Sequence, residues 1–158
     1  MENQQFLYSK DLLKKLSVSS PSALASITGS EEYKDLTGEV KFYEFDDVCV
    51  VFSLFHNLPN TKTNFFGFHI HENGECSGDF SSAGNHYGEG EHPCHKGDMP
   101  PVLSCDGNAF MVVCSNRFNA KEIIGKSVIL HLSPDDFTTQ PSGNSGKRIG
   151  CGIITDYN

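Results

Sequence analysis

The sequence predicts an all-β domain, eight antiparallel strands closed into a sandwich or barrel, on three observations. Apolar runs are short and recur along the chain, turn residues separate them, and two long polar segments interrupt the series. The first two strands are expected at residues 22–28 and 37–45. In the third, Val48, Val50, Phe52 and Leu54 fall on one face and Cys49, Val51, Ser53 and Phe55 on the other, so it is expected to be covered on both sides, or nearly so. Further strands are expected at 65–72, around 101–105, and at 109–115, 127–132 and 150–154, with Asp106-Gly107 as a tight turn between two of them. The stretch from Ser9 to Leu16 reads as a short amphipathic helix or, by default for a terminus, as a poorly ordered tail. Residues 1–20 are therefore read as an N-terminal extension.

A chain of 158 residues fits one domain with a substantial core. Its net charge of −8, with no basic run or stripe, argues against binding nucleic acid or an anionic membrane. No apolar run is long enough to span a bilayer. The N-terminus, MENQQFLYSKDLLKKL, carries Glu2 and no continuous apolar segment, so it does not read as a signal peptide. A cytoplasmic location is expected, with export by a route the sequence does not show as the alternative. Six cysteines, at positions 49, 76, 94, 105, 114 and 151, are irregularly spaced, and several sit in strand-like runs. At most one disulfide is expected.

The polar segments, 73–100 and 133–149, are too long for simple connections and read as functional loops. Five of the seven histidines lie between His69 and His95. His69 and His71 are two apart in a strand and so share a face. Taken alone, such a pair is adequately explained as two histidines at a strand edge. The next loop adds His86, His92, His95 and Asp98, three imidazoles and a carboxylate within thirteen residues, a set suited to four-coordinate zinc. Any one of them reads as a solvated loop residue; all four beside a His-x-His strand favour a metal site. His131, in SVILHL, is an ordinary edge residue in isolation. It gains meaning because copper prefers several imidazoles and the chain holds more than zinc requires. His56, ahead of Asn57-Leu58-Pro59, reads as structural or surface.

The segments GFHIHENGEC (67–76), SAGNHYG (82–88), HKGDMPP (95–101) and GNSGKRIGCGII (143–154) resemble the Cu/Zn superoxide dismutases, particularly their bacterial branch. The likeness covers roughly residues 21–155, in the family's order, and makes 21–158 the dismutase domain. It implies Greek-key connections. It also implies copper on His69, His71, His86 and His131, and zinc on His86, His92, His95 and Asp98, with His86 bridging both ions as an imidazolate. Asp135 matches the family's aspartate that hydrogen-bonds one ligand of each metal, with Asp136 as a competitor. Cys76 and Cys151 match the family's disulfide, leaving Cys49, Cys94, Cys105 and Cys114 free. Arg148 matches the anion-guiding arginine, and Lys147 and Lys96 are expected to add positive field.

The implied activity is dismutation of superoxide to dioxygen and hydrogen peroxide through a copper redox cycle, with His86 and Arg148 as catalytic residues. Monomer and homodimer both stay open. One departure stands out: only Pro93 and Cys94 separate His92 from His95, where the family has a longer stretch. Cys94 is thus an alternative soft zinc ligand. The rival readings are a metal-binding protein without turnover (a copper buffer or chaperone-like domain) and a zinc-only structural sandwich. A copper-only dismutase is a variant within the same class.

Overall fold

The structure is a computed structural model, and it describes residues 12–45 and 48–157. The helix-like expectation at Ser9 to Leu16 falls partly outside them. From position 12 onward a helix is present, α1 (Leu12–Val18). Strands β1 (Ala23–Gly29), β2 (Thr37–Phe45) and β3 (Val48–His56) form an antiparallel meander. They are followed by β4 (Phe65–Phe66), β5 (Phe68–His71), β6 (Val102–Leu103) and β7 (Ala109–Ser115). A short helix α2 (Ala120–Ile123), capped by Asn119 Oδ1 accepting from Glu122 N at 3.0 Å, leads into β8 (Ser127–His131) and β9 (Arg148–Asp156). Among the described residues no helix is long and apolar enough to cross a membrane.

Seven strands form one curled sheet in the order β5-β8-β9-β1-β2-β3-β7, and β4 pairs with β6 beside it. Every expected strand is present. The run at 65–72 divides at Gly67, whose N–H donates to Ser133 O and whose carbonyl accepts from His131 N, both at 2.8 Å. A Cβ at Gly67 would come within 2.9 Å of Ser145, so the bare glycine lets the loop at 133–149 lie close against the strand.

Alternation decides the core. Along β3, Cys49, Val51 and Phe55 point inward, and buried Ser53 satisfies its hydroxyl on Met111 O at 3.2 Å. Phe42, Phe55, Phe66 and Phe68 are fully buried, each contributing about 1.5–3 kcal/mol by burial. The outer face of β3 is covered in part. There Leu16 of α1 packs on Tyr43 and Val50, with Phe45, Phe52 and Val112 around them.

Candidate metal centre

Strand period places the first ligands. Phe68 and Ile70 of β5 enter the core, so His69 and His71 project from the opposite face of the strand. One edge of β5 pairs with β8. The loop at 73–100 returns along the other: Ile70 N donates to Gly97 O at 2.9 Å and Tyr87 N donates to Ile70 O at 2.8 Å. That return sets His86 opposite His71 and Asp98 opposite His69. His131 lies two residues beyond Ile129, the partner of His69, and so shares its face. The ring of His86 sits 4.0 Å from His69 and 4.8 Å from His71, centroid to centroid.

Hydrogen bonds then aim the ring nitrogens. His69 Nε2–H donates to Asp135 Oδ2 at 2.8 Å, His71 Nδ1–H to Gly84 O at 3.0 Å, and His131 Nδ1–H to Gly146 O at 3.3 Å. In a neutral ring this leaves the other nitrogen as a lone pair. Nε2 of His71 and Nε2 of His131 consequently face each other at 3.4 Å with no proton between them. On the loop side, Asp98 accepts from His86 Nδ1 at 2.6 Å and His95 Nδ1 at 3.0 Å, while His92 Nδ1 lies 3.3 Å from it without a hydrogen bond. His92 Nε2–H donates to Asp135 Oδ1 at 2.8 Å. Nδ1 of His69, Nε2 of His86 and Nδ1 of His92 are buried without a hydrogen-bond partner.

Lone pairs that face each other and buried nitrogens without donors are what a cation resolves. Among the described residues two groups place their donor atoms within 4.8 Å of one another: His69, His71, His86 and His131, and then His86, His92, His95 and Asp98. His86 belongs to both. The residues therefore fit two metal ions sharing one ring.

Burial supports the ligand protonation state. It pushes His69 down to about 4 despite the Asp135 hydrogen bond, and carries His71 and His131 well below their ordinary value. All three are neutral near pH 7, as metal ligation requires. Burial raises Asp98, but the hydrogen bond and charge of His86, then His92 and His95, outweigh it and bring the carboxyl to about 2.

Residues 36–154 match the family described as copper/zinc superoxide dismutase. The chain belongs to that family. It is 37% identical over 115 residues to "Superoxide dismutase [Cu-Zn] 2" of Aquifex aeolicus, and 35% over 114 to the Cu-Zn superoxide dismutase of Francisella tularensis. These matches cover 61% and 64% of this chain and only 65% and 60% of those relatives. A likeness to the Deinococcus radiodurans enzyme is weaker, 27%, but spans 90% of this chain and 92% of that protein. Among solved structures, a double mutant of an SOD-like protein from Bacillus subtilis superposes with a TM-score of 0.72 at 29% identity, covering 84% of this chain and 96% of that one.

For a copper/zinc superoxide dismutase family member, the surroundings of the centre are equally informative. Cys76 and Cys151 form the expected disulfide, with Cα atoms 5.7 Å apart. It ties the start of the loop to β9, where Phe80, Ala83, Ile129 and Cys151 make a small second core. That loop supplies two carbonyls to Arg148: Nη1 donates to Phe80 O at 2.6 Å and Nη2 to Gly84 O at 2.7 Å. Gly84 O thus steadies both the guanidinium and the His71 ring. Burial lowers Arg148 and Asp79 offsets part of that, yet a guanidinium stays cationic. Together with His86, His95, Glu72 and Glu89 it lines a depression of about 450 Å³.

Contacts bear on three expectations. Lys147 pairs with Glu32, and Lys96 pairs with Glu122 at 3.0 Å, so neither lysine adds free positive field. Asp136 accepts from Thr138 and Thr139, whereas Asp135 accepts from both His69 and His92. Cys94 is an exposed thiol outside both donor groups, whereas His92 is buried within one. Cys105 and Cys114 are also free and exposed, and burial pushes the free Cys49 thiol up to about 12. His56 lies exposed at the surface, its Nδ1 2.8 Å from Asn108 Oδ1. The sequence reading passed over Gly143, at φ 65°, where a Cβ would collide with the Asp135 carboxylate and come within 2.6 Å of His92 Nε2. Its position in GNSGKRIG was the available signal.

Proposed function

We propose that this protein dismutates superoxide, converting two superoxide anions and two protons into dioxygen and hydrogen peroxide. The observation that carries the reading is His86, one ring shared by both donor groups, with Nδ1 on Asp98 and Nε2 unpartnered. His69, His71, His86 and His131 would hold copper; His86, His92, His95 and Asp98 would hold zinc, all within a domain at residues 21–158. Bound copper supplies the one-electron exchange with superoxide, while bound zinc fixes and polarises the shared ring.

The chain's own groups do the rest. Arg148, held on two carbonyls, presents a fixed positive charge to an approaching anion at the mouth of the depression. The other lining side chains include Glu72 and Glu89, so attraction is local to Arg148 and does not come from the protein's net charge of −8. Nε2 of His86 is the ring atom placed to accept a proton after the first superoxide is oxidised and to return it to the second as peroxide forms. Asp135 locks His69 and His92 in single tautomers, and Gly84 O and Gly146 O hold the rings of His71 and His131. Preorganisation of this kind lets the site change charge without rearranging.

The test is metal quantification on purified protein, with superoxide decay followed before and after copper loading. The reading expects about one copper and one zinc per chain and decay far above the spontaneous rate. A copper-loaded sample that leaves the spontaneous rate unchanged would refute it and favour a metal-binding protein without turnover.

A further inference from the structure

The segment from His92 to His95 is too short to scaffold itself, and two side chains from elsewhere grip its backbone. From the loop at 133–149, the Gln140 amide takes both main-chain groups of His92. His92 N donates to Gln140 Oε1 at 2.9 Å, and Gln140 Nε2 donates to His92 O at 2.7 Å. From the turn after β7, Arg117 Nη1 donates to Pro93 O at 3.0 Å and His95 O at 3.2 Å, with Asp98 O at 3.5 Å. From its immediate neighbours, Glu91 O accepts from Cys94 N at 2.7 Å and Asp98 Oδ2 from His95 N at 2.9 Å.

We propose that Gln140 and Arg117 are zinc-positioning residues, a two-sided clamp that takes over the support a longer loop would provide between His92 and His95. The inference rests on the zinc reading of His86, His92, His95 and Asp98 given above. Three carbonyls turned toward one side of a tight loop repel one another, and a single guanidinium collects them. On the other side the primary amide of Gln140, which both donates and accepts, matches the paired N–H and C=O of His92. Ordering a loop costs conformational entropy for each residue fixed. A clamp made by the protein meets that cost on folding, so it is not charged against metal binding. Both side chains are exposed, and neither lies in a donor group, so their removal leaves the core intact and deletes no ligand.

The experiment compares Gln140→Ala, Arg117→Ala and Arg117→Lys with the wild type. Zinc affinity is measured by chelator competition, and amide hydrogen exchange is followed in the metal-free full chain. Each alanine variant is expected to weaken zinc about tenfold, the magnitude usual for outer partners of a metal site. Exchange should accelerate at residues 89–98 while β1–β3 stay protected and the melting temperature holds. Arg117→Lys should recover part of the loss, since an ammonium reaches carbonyls without the planar fork. Zinc affinity within twofold of wild type, or exchange accelerated throughout the chain, would overturn the clamp. A wild type that takes up no stoichiometric zinc would overturn the zinc reading together with it. Tight zinc in the wild type with indifferent variants would overturn the clamp alone.

Discussion

Replacing Asp135 by alanine tests how one carboxylate serves two metals. Oδ2 accepts from His69 Nε2 at 2.8 Å, while Oδ1 accepts from His92 Nε2 at 2.8 Å and Phe137 N at 2.6 Å. Alanine removes both acceptor oxygens, so both imidazoles and Phe137 N lose their partner. A hydrogen bond to a charged group is worth about 1.5–3 kcal/mol, or about 10- to 100-fold in affinity. The two rings do not share the loss equally. His69 sits within β5, paired to β8, whereas His92 rides on a loop and depends on side-chain contacts to keep its place. Asp135→Ala should therefore weaken zinc by about 10- to 100-fold and copper by clearly less, as measured by chelator competition on each metal. Zinc affinity unchanged within twofold, or copper lost first, would refute the reasoning.

Arg148→Ala should slow superoxide decay about tenfold and flatten its dependence on ionic strength, read by stopped-flow at increasing salt. Lys147→Gln should change that rate by less than twofold, because Lys147 is already paired with Glu32. Replacing Cys76 and Cys151 by serine removes a link of sequence separation 75, costing up to about 4–5 kcal/mol on the chain-entropy account. A large drop in melting temperature is expected, with slower turnover because Phe80 O and Gly84 O lose their anchor. The metal-free protein should also lose stability in acid earlier than carboxylates alone would dictate. His69, His71 and His131 have folded values depressed below the ordinary 6.5, so the unfolded chain binds more protons as pH falls. Their contribution is complete above about 6.5 and declines toward about 4, the folded value of His69. Denaturant midpoints measured at pH 7.5 and 5 should show the decline; equal midpoints would contradict it.

Much of this was legible in the chain itself. Period two puts Phe68 and Ile70 on one face and His69 and His71 on the other, and β5 does so. The ligand-rich loop at 73–100 was visible by composition, and ordered motifs identified its members. Three kinds of feature were not legible. Backbone acceptors such as Gly84 O and Gly146 O leave no trace in residue identity, although they fix two tautomers. Lys147 looked like a source of positive field because nothing local reveals Glu32, 115 positions away, as its partner. The covering of Tyr43 and Val50 by α1 was hidden because a short terminal helix has little stability before it packs.

The account stands on one shared ring, and anomalous diffraction at the copper and zinc edges of reconstituted protein tests it most directly. It predicts two separate ions flanking His86, copper among His69, His71 and His131, and zinc among His92, His95 and Asp98. A single ion, or an ion bound without His86, would contradict it.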